Sequence, residues 1–281
     1  MKYIGSIFFI ALLIGYFFVS CDKIEEPFLR NNIPDTGDTG TATVKRKILI
    51  EDYTGHKCPN CPFAAEVAKT IHEEHPDQVV VMAVHAGSFA TPDASGNFTY
   101  DFRTPEGNQL NGDFGLGAAY PIGLISRITS APGRWDVQYT KWAETVDTLL
   151  NDVATVKLTL TNNYVEANRT SNVTVKTDFL TDIEQNCFLC VYLTEDSIIK
   201  PQKKQNLTIL DYIHMHVLRK SFNGTYGTQL NSAAGAAGAT FTNSFSMNLS
   251  TDWVDKNCNI VVYVFREDTK EILQVETVKV K

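Results

Sequence analysis

Runs of basic residues are missing from this chain. Its 25 lysines and arginines are scattered and outnumbered by 32 aspartates and glutamates, for a formal net charge of −7. A nucleic-acid partner needs a basic patch or stripe, so that class of function has no electrostatic support. Long apolar runs are scarce too: the one at residues 4–19 is too short for a comfortable transmembrane span. Cysteine is sparse, with six in 281 residues. Strong helical periodicity is absent from residue 153 onward, which excludes a helical second half.

What is present starts at the first residues. Met1 and Lys2 precede the apolar run, which ends at Ser20-Cys21 and reads as a secretory signal. A cysteine after a small residue at the end of such a run resembles a bacterial lipobox, with Phe18 where leucine is usual. Residues 1–20 are then a lipoprotein signal peptide and Cys21 the lipidated first residue. The alternatives are an ordinary signal peptide cleaved near Ser20, or an uncleaved anchor. Asp22, Glu25 and Glu26 resemble the acidic export signals of Bacteroidetes surface lipoproteins, although Asp22 could instead favour inner-membrane retention. The outer membrane is expected, with the leaflet open. Residues 21–44 hold two Asp-Thr-Gly units, two prolines and few large apolar residues, as a lipidated tether would.

The chemistry-bearing stretch is residues 48–65, ILIEDYTGHKCPNCPFAA. A strand-like run leads into Cys58-Pro59-Asn60-Cys61, a spacing that lets two sulfurs meet at the first turn of a helix. Helix N-terminal amides favour a thiolate on Cys58, the reactive form of sulfur. Strand, CxxC and helix in that order mark a thioredoxin-like redox site. Zinc is the competing reading, but it needs a second closely spaced pair of ligands. Cys187 and Cys190 sit in a strand-like run, where residues three apart point to opposite faces. Neither a metal nor a cofactor is expected.

Residues 45–151 read as an α/β, thioredoxin-like domain. Residues 47–52 form a strand, 62–75 a helix with Phe63, Val67 and Ile71 along one stripe, and 79–85 a buried strand. Pro121, between Tyr120 and the apolar residues 122–128, is the candidate for a cis-proline facing the cysteines; a trans proline starting a strand is the plain alternative. A closing amphipathic helix is expected over residues 135–151, with Val137, Trp142, Val146, Leu149 and Leu150. Residues 152–281 carry short alternating runs separated by polar turns: VATVKLTL, NVTVKTDFL, CFLCVYLTED, FTNSFSMNL, CNIVVYVFRED and EILQVETVKV. They predict an all-β, immunoglobulin-like β-sandwich. The small-residue run AAGAAGA at 233–239 is expected to be a loop.

Around the cysteines, His56 could stabilise a thiolate by charge or hydrogen bonding, or be a solvated loop residue. His85 reads as a structural hydrogen-bonder. His214 and His216 alternate, so a strand would place both on one face, in a surface or interdomain role. Asp52 or Glu51 could relay a proton to Cys61, but only one of two adjacent strand residues can face it. Cys187 and Cys258 fall at opposite ends of two strands when their Val-Tyr centres are aligned, which argues against a direct bridge. With Cys190 they read as small buried apolar residues.

Four motifs, LIEDYTGHKCPNCPFAAEVA, AVHAGSFA, AAYPIGLISR and DYIHMHVLRKSFNGTYG, resemble those of the outer membrane protein 28-related lipoproteins of Bacteroidetes. The resemblance implies a cell-envelope, outer-membrane lipoprotein with a thioredoxin-like domain followed by a β-rich domain. The chain also resembles thioredoxins at Asp52, which lies where they carry a buried acid. It departs from them at Lys57, where they have Trp, and at Pro59-Asn60, where they have Gly-Pro. Two functions stand side by side. One is thiol–disulfide exchange on envelope proteins or peptides, with Cys58, Cys61, Pro121, Asp52 and His56 at the site. The other is a non-enzymatic binding or adhesive surface lipoprotein whose Cys58–Cys61 disulfide is structural. Membrane attachment should depend on Cys21: Cys21→Ala should move the protein out of the outer-membrane fraction, and retention there would refute the anchor.

Overall fold

The computed structural model describes residues 44–117, 120–230 and 235–281. Cys21, the signal segment and nearly all of the tether lie outside the described residues, as does part of the 233–239 run.

The run ILIEDYT is β-branched, aromatic and apolar enough to be covered on both faces, and it forms β1 (Ile48–Thr54), buried at every position. Helix α1 (Cys61–Glu74) carries the chain over to β2 (Val79–His85), which pairs parallel with β1. The stripe α1 buries is Ala64, Ala68 and Ile71, with Phe63 and Val67 only partly covered. Ile71 thus falls on the buried stripe as expected, while Ala64 and Ala68 take the places expected of Phe63 and Val67, one position further along.

Two short helices follow, α2 (Gly87–Ala90) and α3 (Pro105–Asp113), the latter capped by Thr104, whose hydroxyl accepts from the Gly107 amide at 2.9 Å. The Tyr120–Pro121 peptide is cis, as expected, and leads into β3 (Ile122–Ile125), antiparallel to β1. Strand β4 (Asp136–Gln138) pairs with β3, and α4 (Trp142–Asp147) closes this half. The closing helix is shorter than expected, because Val137 pairs with Gly123 in the sheet.

The six expected alternating runs are all strands: β5 (Val156–Val165), β6 (Thr170–Phe179), β7 (Cys187–Glu195), and later β14 (Thr240–Asn248), β15 (Cys258–Arg266) and β16 (Ile272–Lys279). Between β7 and β14 runs an excursion of short strands: β8 (Ile198–Ile199), β9 (Gln202–Lys204), β10 (Leu207–Ile209), β11 (Ile213–His214), β12 (Val217–Ser221) and β13 (Thr228–Gln229). Sheet β14-β6-β5 faces β7, β15 and β16 across a shared core that includes Val173, Val191, Leu193, Ile260 and Val262. In the β7–β15 register, Cys187 lies opposite Arg266 and Cys258 opposite Glu195, so these two cysteines sit at opposite ends, and all three are buried.

The sheet crosses the boundary expected at residue 151. Among the described residues one nine-stranded sheet runs β16-β15-β7-β12-β2-β1-β3-β4, with β13 added on β7. The junction is a parallel pairing of Val217 in β12 with Ala83 in β2, and the Ala83 amide donates to the His216 carbonyl at 2.8 Å. Residues 43–281 accordingly make one compact unit. The sheet also curls until β16 returns to β1: the Lys47 amide donates to Gln274 Oε1 at 2.6 Å and the Ile272 amide to the Ser126 carbonyl at 2.8 Å.

Inside this curl Arg127 is fully buried, donating two 2.7 Å bonds to the Glu51 carboxylate and one of 2.9 Å to the Tyr263 hydroxyl. Its guanidinium also lies 4.9 Å from the Phe114 ring centroid and 5.1 Å from that of Tyr263. Ser126 and Arg127 both adopt left-handed φ, 43° and 50°, an unfavourable backbone for non-glycine residues that turns the arginine inward. Removing one member would strand a buried charge. Arg127→Met should therefore destabilise the protein by about 3–5 kcal/mol in denaturant unfolding, and adding Glu51→Gln should recover part of the loss. A loss below 1 kcal/mol would mean the pair is not buried in solution.

Candidate functional site

The turn after β1 is shaped by close packing. A Cβ at Gly55 would lie 2.4 Å from the Phe89 carbonyl carbon, so only glycine lets the chain pass under α2. Lys57 then donates its amide to the Phe89 carbonyl at 3.0 Å, and its side chain pairs with Asp93 at 2.7 Å. Cys58 and Cys61 are joined in a disulfide, and the Cys61 amide points at Cys58 Sγ, 3.1 Å away. Because the Asn60 side chain makes no capping bond, the sulfur occupies the place of a cap at the start of α1.

The position of Cys58 just before the helix predicts it to be the exposed sulfur of the pair, and the structure differs: Cys58 is 0 % and Cys61 2 % exposed. The excursion covers them. Gln202 Nε2 donates to the carbonyls of Cys58 at 3.1 Å and Lys203 at 2.9 Å. The Lys203 amide donates to the His56 carbonyl at 2.8 Å, and the Gln205 amide to the Pro59 carbonyl at 2.8 Å. The β9–β10 hairpin is thus sewn onto the CPNC turn through its backbone.

Strand alternation separates the two acids of β1. Glu51 faces Arg127 inside the curl, whereas Asp52 turns to the α1 side. Asp52 and Cys61 line one small cavity of about 30 Å³, together with Thr54, His85, Gln202 and His214. Asp52 Oδ1 has no hydrogen-bond partner, and burial pushes the carboxyl up from 3.8 to about 7. The cavity exceeds the roughly 10–15 Å³ that one water molecule requires.

Three buried imidazoles surround Phe102. The rings of His56, His85 and His214 lie 5.7, 4.4 and 4.5 Å from it, centroid to centroid. His56 is buried, stacked on Phe98 at 5.4 Å, and neither of its ring nitrogens has a hydrogen-bond partner. Burial first, and then the charge of Lys57, lower it to about 4, so it is neutral at pH 7. Burial lowers His85 well below the usual range, with His214 adding to the effect, and burial lowers His214 to about 4. His214 and His216 do not share a face. His216 lies beyond β11 with φ 57°, where it pairs with Asp196 at 3.2 Å and meets the His72 ring at 5.7 Å.

Of the residues singled out from the sequence, Cys58, Cys61, Asp52 and His56 cluster at the end of β1 and the start of α1, and Pro121 precedes the neighbouring strand. Gln202, and Tyr212 on the wall of the same cavity, escape the sequence reading: Gln202 comes from a region with no strong periodicity, and Tyr212 stands inside the motif DYIHMHVLRKSFNGTYG, which marks the segment without giving the residue a role.

The family description "Outer membrane protein Omp28" matches residues 108–281, more than half of the chain. The chain belongs to the outer membrane protein Omp28 family. As a member it is an outer-membrane protein of the cell envelope, and no helix among the described residues is long and apolar enough to cross a membrane. The solved structure of HBP35 of Porphyromonas gingivalis is similar at TM-score 0.65 and 19% identity, covering 84% of this chain and 76% of that one. Protein AGR_C_4864 from Agrobacterium tumefaciens is similar at TM-score 0.52 and 11% identity, covering 85% and 97%. At these identities the likeness speaks for the fold. A domain of the outer membrane lipoprotein Omp28 from Porphyromonas gingivalis aligns at TM-score 0.34 and 21% identity, over 46% of this chain and 91% of that one. The curated proteins hold no match.

The Asp52 environment has a measurable signature. Because its folded pKa is raised, the unfolded chain loses this proton first as pH climbs from 3.8, and stability falls until about pH 7. The loss is about 4 kcal/mol at most. Asp52→Asn should accordingly be more stable than the parent at pH 8, with the advantage fading by pH 4. Equal thermal stability at both pH values would refute a strained, buried carboxyl.

Proposed function

We propose that this envelope protein carries out thiol–disulfide exchange on polypeptides, with Cys58 as the attacking sulfur, Cys61 as the resolving one and Asp52 as the group that exchanges a proton with Cys61. The observation that carries this reading is the unpartnered carboxyl of Asp52 beside Cys61. A structural disulfide needs no such acid, and burying one without a partner costs stability. A carboxyl near pKa 7 is matched to giving and taking a proton at neutral pH.

In the oxidised form a substrate thiolate attacks Cys58 Sγ, and the bond to Cys61 breaks. The Cys61 sulfur leaves as a thiolate and takes its proton from Asp52. A second substrate thiolate then attacks the substrate sulfur of the mixed disulfide, forming the substrate disulfide and releasing Cys58 as a thiolate facing the Cys61 amide. Substrate is oxidised and protein reduced; the reverse direction follows the same steps backward. His56, neutral and stacked, acts by packing the turn. Within the same proposal Pro121 borders the site, Cys21 bears the lipid, and the two facing sheets of the C-terminal half form an immunoglobulin-like module.

The burial of both sulfurs favours a second reading, in which the disulfide only stabilises the helix start. Cys61→Ser should trap a mixed disulfide through Cys58, and Cys58→Ser should trap none. Asp52→Asn should slow exchange at pH 7 by about tenfold or more, and Gln202→Ala, which loosens the hairpin, should speed reduction by dithiothreitol. If neither cysteine variant traps substrate and the disulfide resists reduction below roughly −300 mV, the structural reading takes over.

A further inference from the structure

Beside the cysteine cavity lies a larger groove of about 780 Å³, between α1 and the excursion at residues 209–216. The two share Asp52, Ala65, Ala83, Tyr212 and Met215 as lining, so the groove adjoins the space that Cys61 lines. We infer that this groove binds an extended apolar polypeptide segment bearing a basic residue, and that the segment is the substrate on which the proposed exchange acts.

Three features select this occupant. The lining mixes apolar side chains with charged ones, the apolar part being Val81 and Ala83 on β2 and Ile213 and Met215 on the excursion. Those two are 54 % and 41 % exposed, and with Ile199, Leu207 and Leu210 they make up most of the large apolar side chains exposed among the described residues. Such a concentration on one excursion marks a contact surface. The charge is one-sided as well. Lys69 is paired with Glu73 at 3.7 Å and His216 with Asp196 at 3.2 Å, while Glu66 and Asp211 form no ion pair among the described residues. A lysine or arginine next to an apolar side chain would complement both carboxylates. Exchange chemistry in turn calls for a polypeptide to be held near the cysteine pair, and this groove shares five lining residues with the cavity that Cys61 borders.

The inference rests on the exchange reading for its substrate role, but binding is separable from chemistry. The probe is a cysteine-free, fluorescein-labelled apolar decapeptide carrying two lysines, titrated onto the full-length protein by anisotropy. A version with two glutamates serves as control. The lysine peptide should bind about tenfold or more tightly than the glutamate peptide, and Glu66→Lys with Asp211→Lys should invert that preference. Met215→Asp should weaken both, and circular dichroism should show that each variant is folded. Equal affinity for the two peptides, insensitivity to all three substitutions, or binding to phosphatidylglycerol vesicles in place of peptide would overturn the assignment. Charge-selective binding by a protein whose disulfide is inert would uphold the groove and overturn the exchange reading instead.

Discussion

The buried contact of Arg127 with Glu51 and Tyr263 is the constraint on which the rest of this structure depends. A fully buried guanidinium needs its charge matched, and here Glu51 supplies the counter-charge while the Tyr263 hydroxyl accepts from Nη2; Nη1 has no hydrogen-bond partner. Glu51 sits in the central strand, Arg127 just after the strand beside it, and Tyr263 in the far wall of the curled sheet. One side chain therefore ties the first half of the chain to the last. It also sets the register of β1. A slip by one residue would put Glu51 toward α1 and Asp52 into the curl, leaving Arg127 without its carboxylate. Holding Glu51 on one face is thus what holds Asp52 on the other, beside Cys61.

The same strand consequently carries two acids with opposite electrostatic fates. Glu51 is matched by the Arg127 guanidinium, which itself lies over aromatic rings, whereas Asp52 meets a small cavity with neither a cation nor a hydrogen bond to Oδ1. Proteins tolerate the second arrangement where a proton must move, and its place next to a cysteine pair gives the exchange reading its physical content. The hairpin laid over the turn supplies the complementary element. It covers both sulfurs and is attached to the turn through four backbone carbonyls, two of them reached by one glutamine side chain.

Family membership and chemistry fall on different parts of the chain. The matched segment, residues 108–281, includes the excursion and the two facing sheets but begins well after Cys61. Kinship therefore assigns the cellular location and the C-terminal half, and does not reach Cys58 and Cys61. The excursion bridges the two, since it lies within the family segment yet covers the CPNC turn and walls the adjoining groove.

Much was determined by sequence alone, because it was local. The strand–CxxC–helix unit, the parallel β1–β2 pair, the proline before β3 and six alternating strands follow from periodicity and turn residues acting over a dozen positions. The opposite-end placement of Cys187 and Cys258 followed from aligning two strand patterns. Tertiary structure decided what depends on distant partners. The α1 stripe shifted to its alanines to meet the sheet, and Val137 left a helical pattern to pair with Gly123. The short strands at residues 198–229 carry no period long enough to announce themselves, yet β12 welds the two halves through a single parallel pairing. Burial of Cys58, separation of His214 from His216, and the choice of Asp52 over Glu51 rest on contacts more than a hundred residues apart in several cases. Alternation showed that one of the two acids must face the sulfur; only the partner waiting on the other side, Arg127, decided which.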